Sequence, residues 1–312
     1  MPTSYQSIPH VPALTQQVLA YLKPTKEGKY LDATLGSGGH AEAILDASQP
    51  SGILIGLDID PQAIEIAQER LQRFSQRVTF FNASYIDIAE CLQKVGFSCV
   101  NGILFDLGLS SMQVDHAERG FSLYKEGPLD MRFNPQKNLS ANDLVNQWGE
   151  DQISTILWKY GEEPKARAIA KAICASRPIH TTTQLAQVIQ TVYKGKKFKI
   201  HPATRSFQAI RIAVNDELAS LEKGVSEAIH FLCVGGRIAV ISFHSLEDRI
   251  IKDIFQRESK DCLCPPEQTI CTCHHKASLS ILTKKPITAA SDEIKANPRA
   301  RSAKLRVAQK IG

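Results

Sequence analysis

Between residues 30 and 106 the chain alternates short, almost wholly apolar runs with stretches of helical period, and that alternation leaves few folds open. The run Ile53 to Asp58, ILIGLD, is apolar up to its last residue. A strand with one face in water alternates polar and apolar residues; an unbroken run marks a strand covered on both faces of a parallel sheet. The strand entering at Tyr30, Val78 to Phe81, and Asn101 to Asp106 supply the other strands of this part of the chain. Between them the sequence predicts helices. His40 to Ala47 is stopped by Pro50; Asp60 caps a second helix with Pro61 at its first position and Ile64, Ala67 and Leu71 on one face; Asp87 to Val95 forms the third. Strands and helices in this order predict a doubly wound α/β sheet, whose ligands lie outside the carboxyl ends of the strands.

At Gly108 the rhythm stops for about a hundred residues, far more than the few that join a strand to a helix. An inserted unit is expected there. It opens irregularly and becomes helical in pattern over Ala141 to Trp148, Asp151 to Tyr160, Glu163 to Ser176 and Thr183 to Tyr193, with a further helix after Arg205. The sheet pattern then resumes with a helix over Ala219 to Leu232 and a strand over Gly236 to Phe243, and Ser245 with Asp248 has the shape of a capping box. Ala303, Leu305 and Val307 alternate with Lys304 and Arg306, which reads as a half-exposed strand. The expected organisation is an α/β domain over 1–113, an inserted helical domain over 114–213, and the second part of the α/β domain with a basic tail over 214–312.

Charge divides along the same lines. Residues 114 to 213 hold 15 Lys and Arg against 9 Asp and Glu, and Lys295 to Lys310 hold 6 basic residues and no acid; the rest has 16 basic against 23 acidic residues. Basic surfaces beside an acidic body are the footprint of a polyanion-binding protein, nucleic acid foremost, although a lysine-rich solvated surface has the same composition. Lys194, Lys196, Lys197, Lys199, Arg205, Arg299, Arg301 and Arg306 are the candidate phosphate contacts.

The first strand runs directly into Leu35-Gly-Ser-Gly-Gly-His40. Glycines at a strand end let the backbone turn sharply and bring its N–H groups against a ligand, and Asp58, one βαβ unit on, stands where an acid binds ribose hydroxyls. A nucleotide-like cofactor is the expectation. Gly36-x-Gly38-x-x-Ala41 also fits a dinucleotide fingerprint, so a nicotinamide oxidoreductase and a non-catalytic RNA-binding protein on the same fold stay open at this point.

Seven ordered segments carry a resemblance that covers nearly the whole chain: ATLGSGGH at 33 to 40, ILFDLGLSSMQVD at 103 to 115, ERGFS at 118 to 122, GPLDMR at 127 to 132, HPATRSFQAIRI at 201 to 212, ISFHSLEDRI at 241 to 250 and NPRARSAKLRV at 297 to 307. Together they resemble the bacterial small-subunit ribosomal RNA cytosine-N4 methyltransferases. The resemblance implies a Rossmann-like S-adenosylmethionine methyltransferase sheet with an inserted helical domain. It implies S-adenosylmethionine as cofactor, small-subunit ribosomal RNA or an assembling small subunit as partner, and methylation of one cytidine amine in the decoding centre. The cofactor contacts it implies are Gly38, Gly39, His40, Asp58, Tyr85, Asp106 and Gln113. Many amino methyltransferases follow the fourth strand with two prolines and an aromatic residue; here the stretch is Asp106-Leu-Gly-Leu-Ser110. Asp106 and Ser110 are therefore the candidate amine acceptors, and Phe243, with His244 beside it, is the candidate ring to stack on the base.

Cys91, Cys99, Cys174 and Cys233 lie singly in apolar segments and read as buried thiols of a reducing compartment. Two thiolate pairs, Cys262-x-Cys264 and Cys271-x-Cys273, have the right donors for a tetrahedral site, but C-x-C differs from the usual C-x-x-C knuckle and methyl transfer needs no metal, so no metal is expected. No run approaches the roughly 20 apolar residues that span a bilayer, and the opening residues lack the pattern of a signal peptide, so a cytoplasmic protein is expected.

Overall fold

The computed structural model describes residues 12–109, 111–194, 200–268 and 270–312. The chain forms two compact units, one of 1–108 with 218–312 and one of 109–217, so the divisions fall at Gly108 and Glu217 rather than at 113 and 213. Both shifts have local causes. Gly108, at φ +94°, turns the chain two residues past the end of the fourth strand, and the helix Thr204–Asn215 closes at Asp216 in the left-handed region, which keeps it whole within the helical unit.

In the α/β unit the strands are β1 (Lys29–Asp32), β2 (Ile53–Asp58), β3 (Val78–Asn82), β4 (Val100–Asp106), β5 (Leu232–Ser242), β6 (Leu279–Ile281), β7 (Ile287–Thr288) and β8 (Lys304–Lys310). They are ordered β3-β2-β1-β4-β5-β8-β6, with β7 on β8. β1 to β5 are parallel; β8 runs antiparallel to β5, and β6 and β7 each pair antiparallel with β8. Chain order reverses between β1 and β4, and that switch point opens a crevice at their carboxyl ends.

The two faces are filled by alternate residues of the same strands. Leu31, Ile55, Leu57, Ile103, Phe105 and Val240 point to one core, shared with the helices Ile88–Lys94, Glu217–His230 and Ser245–Glu258. Tyr30, Leu54, Leu104, Ile241 and Leu305 point to the other, shared with Thr15–Leu22, Gly39–Ala47 and Pro61–Arg70. Unbroken apolar runs are what a period of two demands when both faces are covered.

β8 departs from the half-exposed strand its alternation suggested. It lies between β5 and β6, and Leu305, Arg306, Val307 and Ala308 are all buried. Arg306 is tolerated there because its guanidinium is paired with Asp248, Nε to Oδ1 at 2.6 Å and Nη2 to Oδ2 at 3.2 Å. The pair pulls the Asp248 carboxyl below the usual range against the burial that raises it. Asp248 is therefore not the capping residue of its helix. The cap is His244: its Nδ1 accepts from Glu247 N, and Glu247 Oε2 accepts from the backbone N–H of Phe243 at 2.8 Å and of His244 at 3.3 Å.

Cys99 and Cys233 are also not buried thiols: both are half-buried and joined as a disulfide. The register of β4 on β5 is broken here, passing from Val100↔Leu232 to Gly102↔Arg237, and in this irregular stretch Cys233 meets Cys99, 134 residues away in sequence. Cys91 is a buried thiol and Cys174 a half-buried one.

The helical unit packs Ala141–Gln147, Glu150–Gly161, Ala166–Ala175, Thr182–Thr191 and Thr204–Asn215 around Leu144, Ile153, Leu157, Ile169, Leu185 and Ile210. Ser140 and Thr181 open their helices with capping boxes closed by Asp143 and Gln184, which satisfies the first orphan N–H groups. Arg211 holds Glu217 through two bonds, of 2.8 and 2.9 Å, at the end of the unit.

Candidate active site

β1, β2 and β4 each end on an aspartate, so Asp32, Asp58 and Asp106 gather at the carboxyl edge of the sheet. The turn between Asp32 and the helix Gly39–Ala47 is the glycine-rich segment. Gly36 and Gly38 hold φ of +52° and +78°, conformations that a side chain resists, and a Cβ on Gly38 would also press on Leu71. The turn thus presents backbone at the crevice.

Asp58 is half-buried and fixed by two backbone donors, Gly36 N to Oδ2 at 2.7 Å and Asp60 N to Oδ1 at 2.9 Å. Each carboxyl oxygen keeps a lone pair for a further donor. Loss of water around the carboxyl pushes its pKa up to about 6, against the lowering by those N–H groups. Asp32, which the sequence reading did not single out, is 1 % exposed. Burial pushes its pKa up to about 7, partly offset by His40 and by the backbone N–H of Thr34. The available signal was the shared position of three acids, each closing an apolar strand.

His40, 4 % exposed, places Nε2 at 3.4 Å from Asp106 Oδ2. Neither ring nitrogen of His40 nor Oδ1 of Asp106 has a hydrogen-bond partner among the described residues, although all three atoms are buried. Leaving such groups unsatisfied costs about 1–3 kcal/mol each, which a folded chain retains where a ligand supplies the missing partner. The orphaned atoms beside a glycine turn fit a polar, nucleotide-like cofactor.

The other candidates fall into three sets. Phe243 follows β5, and a Cβ on Gly108, just past β4, would touch its Cδ2 at 3.3 Å, so the ring lies at the same edge as Asp106. His244 beside it is engaged in the helix cap, with Nε2 at 3.1 Å from Glu247 Oε1. Tyr85 is half-buried with its ring edge-on to Phe105 at 5.7 Å; Gly224 makes room for it, since a Cβ there would stand 2.5 Å from Tyr85 Cδ2. Gln113 is 7 % exposed in the short helix Ser111–Asp115 of the helical unit, and Ser110 lies outside the described residues.

Of the candidate phosphate contacts, Arg299 and Arg301 are exposed in the turn Pro298–Ser302, and Lys194 and Arg205 are exposed in the helical unit, where Arg205 donates to Glu162 O at 3.1 Å. Lys196, Lys197 and Lys199 lie outside the described residues. Arg306 is withdrawn from the surface by its pair with Asp248.

A family model described as the MraW methylase family matches residues 7–311. Three relatives named Ribosomal RNA small subunit methyltransferase H align over nearly the full chain. That of Dehalococcoides mccartyi is 49% identical over 303 residues, covering 97% of this chain and 87% of its own. That of Thermomicrobium roseum is 47% identical over 308 residues, covering 98% and 94%. That of Heliobacterium mobile is 46% identical over 308 residues, covering 97% and 99%.

Proposed function

The chain belongs to the MraW methylase family, and from that premise we propose that it uses S-adenosylmethionine to methylate the exocyclic N4 amine of a cytidine in the decoding centre of small-subunit ribosomal RNA. Family membership makes it a methyltransferase; the names of the relatives support ribosomal RNA as substrate. The observation that carries the reading is the buried, partnerless acceptor Asp106 Oδ1 at the end of β4, beside the glycine turn. Among the described residues no helix is long and apolar enough to cross a membrane.

When bound, S-adenosylmethionine supplies an electrophilic methyl group on a cationic sulfur. The residues that would hold it are the backbone of Gly38 and Gly39, His40, Asp32 and Asp58. A cytosine amine is a poor nucleophile because its lone pair is delocalised into the ring. Asp106 Oδ1 accepts a hydrogen bond from one N4–H, which favours the geometry with the lone pair toward the methyl group, and Phe243 stacks on the base; transfer of the methyl group to N4 would leave S-adenosylhomocysteine and release one N4 proton to solvent. Most of the acceleration then comes from holding the reactants in line, worth up to roughly 7–11 kcal/mol in well-oriented systems. A base inside folded RNA reaches such a pocket only when flipped out, with the exposed cations positioning the phosphates.

The raised carboxyls give this reading a pH signature. In the free protein Asp58 and Asp32 hold protons up to about 6 and about 7, so the folded state binds more protons than the unfolded chain between the ordinary carboxyl range and neutrality. Stability contributed by these groups is present at low pH and declines as pH rises through that window. A sulfonium cation favours the ionised carboxyls and reverses the effect locally. Affinity for S-adenosylmethionine should rise by about three- to tenfold per pH unit between pH 5 and 7, while uncharged-sulfur S-adenosylhomocysteine responds less. Calorimetric titration of both ligands across this range measures it, and parallel pH profiles would remove the electrostatic argument.

RNA binding should weaken steeply with salt, by about a hundredfold or more between 50 and 200 mM, as counterions return to the phosphates. A flat salt response in filter binding would count against the basic surfaces. The deciding experiment titrates the protein with S-adenosylmethionine and with NAD, then assays methyl transfer to small subunits and to naked ribosomal RNA, with nucleoside mass spectrometry for N4-methylcytidine. Binding of NAD alone, or methylation of another atom, would overturn the proposal.

A further inference from the structure

The loop joining the helix Ser245–Glu258 to β6 contains four cysteines that the methyl transfer does not use. We propose that Cys262, Cys264, Cys271 and Cys273 form a closed tetrahedral site for a thiolate-seeking divalent cation, zinc above all, which clamps this loop.

The geometry is that of a ligand set. All four sulfurs lie within 4.8 Å of one another. Cys262 Sγ is 3.5 Å from Cys271 Sγ and 3.7 Å from Cys273 Sγ, and Cys271 and Cys273 are 3.6 Å apart. A tetrahedron with zinc–sulfur bonds of about 2.3 Å has edges of about 3.8 Å, whereas a disulfide needs about 2.05 Å. Cys262, Cys271 and Cys273 therefore stand at coordination spacing and not at bonding spacing, and Cys264 lies within 4.8 Å of each of them. The C-x-C spacing, which argued against a metal when read alone, does not keep the sulfurs apart here: both arms bring their two cysteines to one cluster. Backbone N–H groups also aim at sulfur, Leu263 N at Cys273 Sγ (3.3 Å) and Cys264 N at Cys262 Sγ (3.4 Å), the kind of outer contact that steadies thiolates.

The surroundings explain why a clamp is needed. The neck of the loop is closed by ordinary bonds, Ser278 N to Glu258 O at 2.8 Å and Ala277 N to Asp261 Oδ1 at 3.3 Å. Beyond the neck no described residue from 262 to 273 is buried, and Ile270 is 75% exposed. Cysteine is among the most buried residue types, so four of them converging on the surface of a tip without a core require another cause. His275 is not a competing ligand, since its Nε2 is 3.1 Å from Arg257 O. Four sulfur donors fill the tetrahedron and leave no open position, so the ion is structural; on binding, the four thiols release their protons to solvent.

The test is elemental analysis of the full-length protein purified without chelators, followed by cobalt substitution. Expected are about one zinc per chain and, with cobalt, the visible bands of a tetrahedral thiolate site. A Cys262→Ser/Cys271→Ser variant should lose the metal about tenfold or more, while Cys174→Ser, in the helical unit, retains it. Chelation of the wild type should speed proteolysis between residues 262 and 273 about tenfold, without loss of the sheet. Protein that carries no metal and takes up neither zinc nor cobalt overturns the proposal, as does unreduced peptide mapping that finds these cysteines joined in disulfides.

Discussion

Replacing Asp106 with alanine should slow methyl transfer by about 10²- to 10³-fold, the usual effect of removing one preorganised polar group at a reacting centre. Its Oδ1 is buried without a donor, and its backbone N–H, which donates to Thr34 Oγ1 at 2.6 Å, is untouched by the substitution. The fold should survive because the side chain's nearest described partner is His40 at 3.4 Å. Affinity for S-adenosylmethionine should fall by about tenfold at most, since Asp58 and the glycine turn remain. Single-turnover rates measured beside equilibrium cofactor titration separate the two effects. An unchanged rate removes Asp106 from the chemistry; a loss accounted for by cofactor affinity alone makes it a binding residue only. Phe243→Ala should act differently, weakening RNA more than cofactor, because aromatic stacking is worth about 1–3 kcal/mol per base.

The inner parallel strands β1, β2 and β4 were legible because each is an apolar run ended by an acid, and local sequence is sufficient to declare such a strand covered on both faces; β3, at the edge of the sheet, has no buried residue. β8 was misread for a reason that local sequence does not contain. Lys304 and Arg306 mark the polar side of an alternating strand, yet Arg306 is buried because Asp248, 58 residues away, neutralises it. The same long-range pair displaced the helix cap: once Asp248 is committed to Arg306, the N3 partner is Glu247, and the cap moves back one residue to His244. His244, drawn from sequence as a candidate beside the stacking ring, is thereby held by the scaffold.

The site was partly legible for the same kind of reason. Asp58 and Asp106 end their strands, and Gly38 and His40 stand in the glycine-rich turn and helix start that follow β1, where pattern alone points at a crevice. Asp32 escaped notice because an acid before a glycine turn reads as part of the turn; its burial depends on β2 and β4 flanking β1 on both sides. The disulfide and the thiol cluster are likewise proximities that register creates. Val100 must meet Leu232 before Cys99 and Cys233 can pair, and two C-x-C arms must fold back on each other before four sulfurs meet.

The helical unit should be undone by a single methyl group. Gly120 holds φ of +73°, and a Cβ there would fall well inside contact distance of Pro128 O and 2.8 Å from Asp130 N. Both obstacles are backbone, so no rotamer relieves them. Gly120 joins the ERGFS and GPLDMR segments: Met131 N donates to Arg119 O at 3.1 Å, and Arg119 Nη2 reaches the carbonyls of Arg132 and Phe133 at 3.1 and 3.0 Å. Moving either strand of this contact breaks bonds that pin the irregular segment to the core at Leu129 and Met131. Left-handed strain and overpacking together put Gly120→Ala at about 3–5 kcal/mol. In a unit of roughly a hundred residues that lowers the melting midpoint by about 15 °C or more. Both tryptophans, Trp148 and Trp158, lie in this unit, so indole fluorescence reports its melting without signal from the sheet. A tryptophan transition that stays within a few degrees of wild type would mean that the backbone at Pro128 yields, and the close contact at Gly120 would then carry no stability.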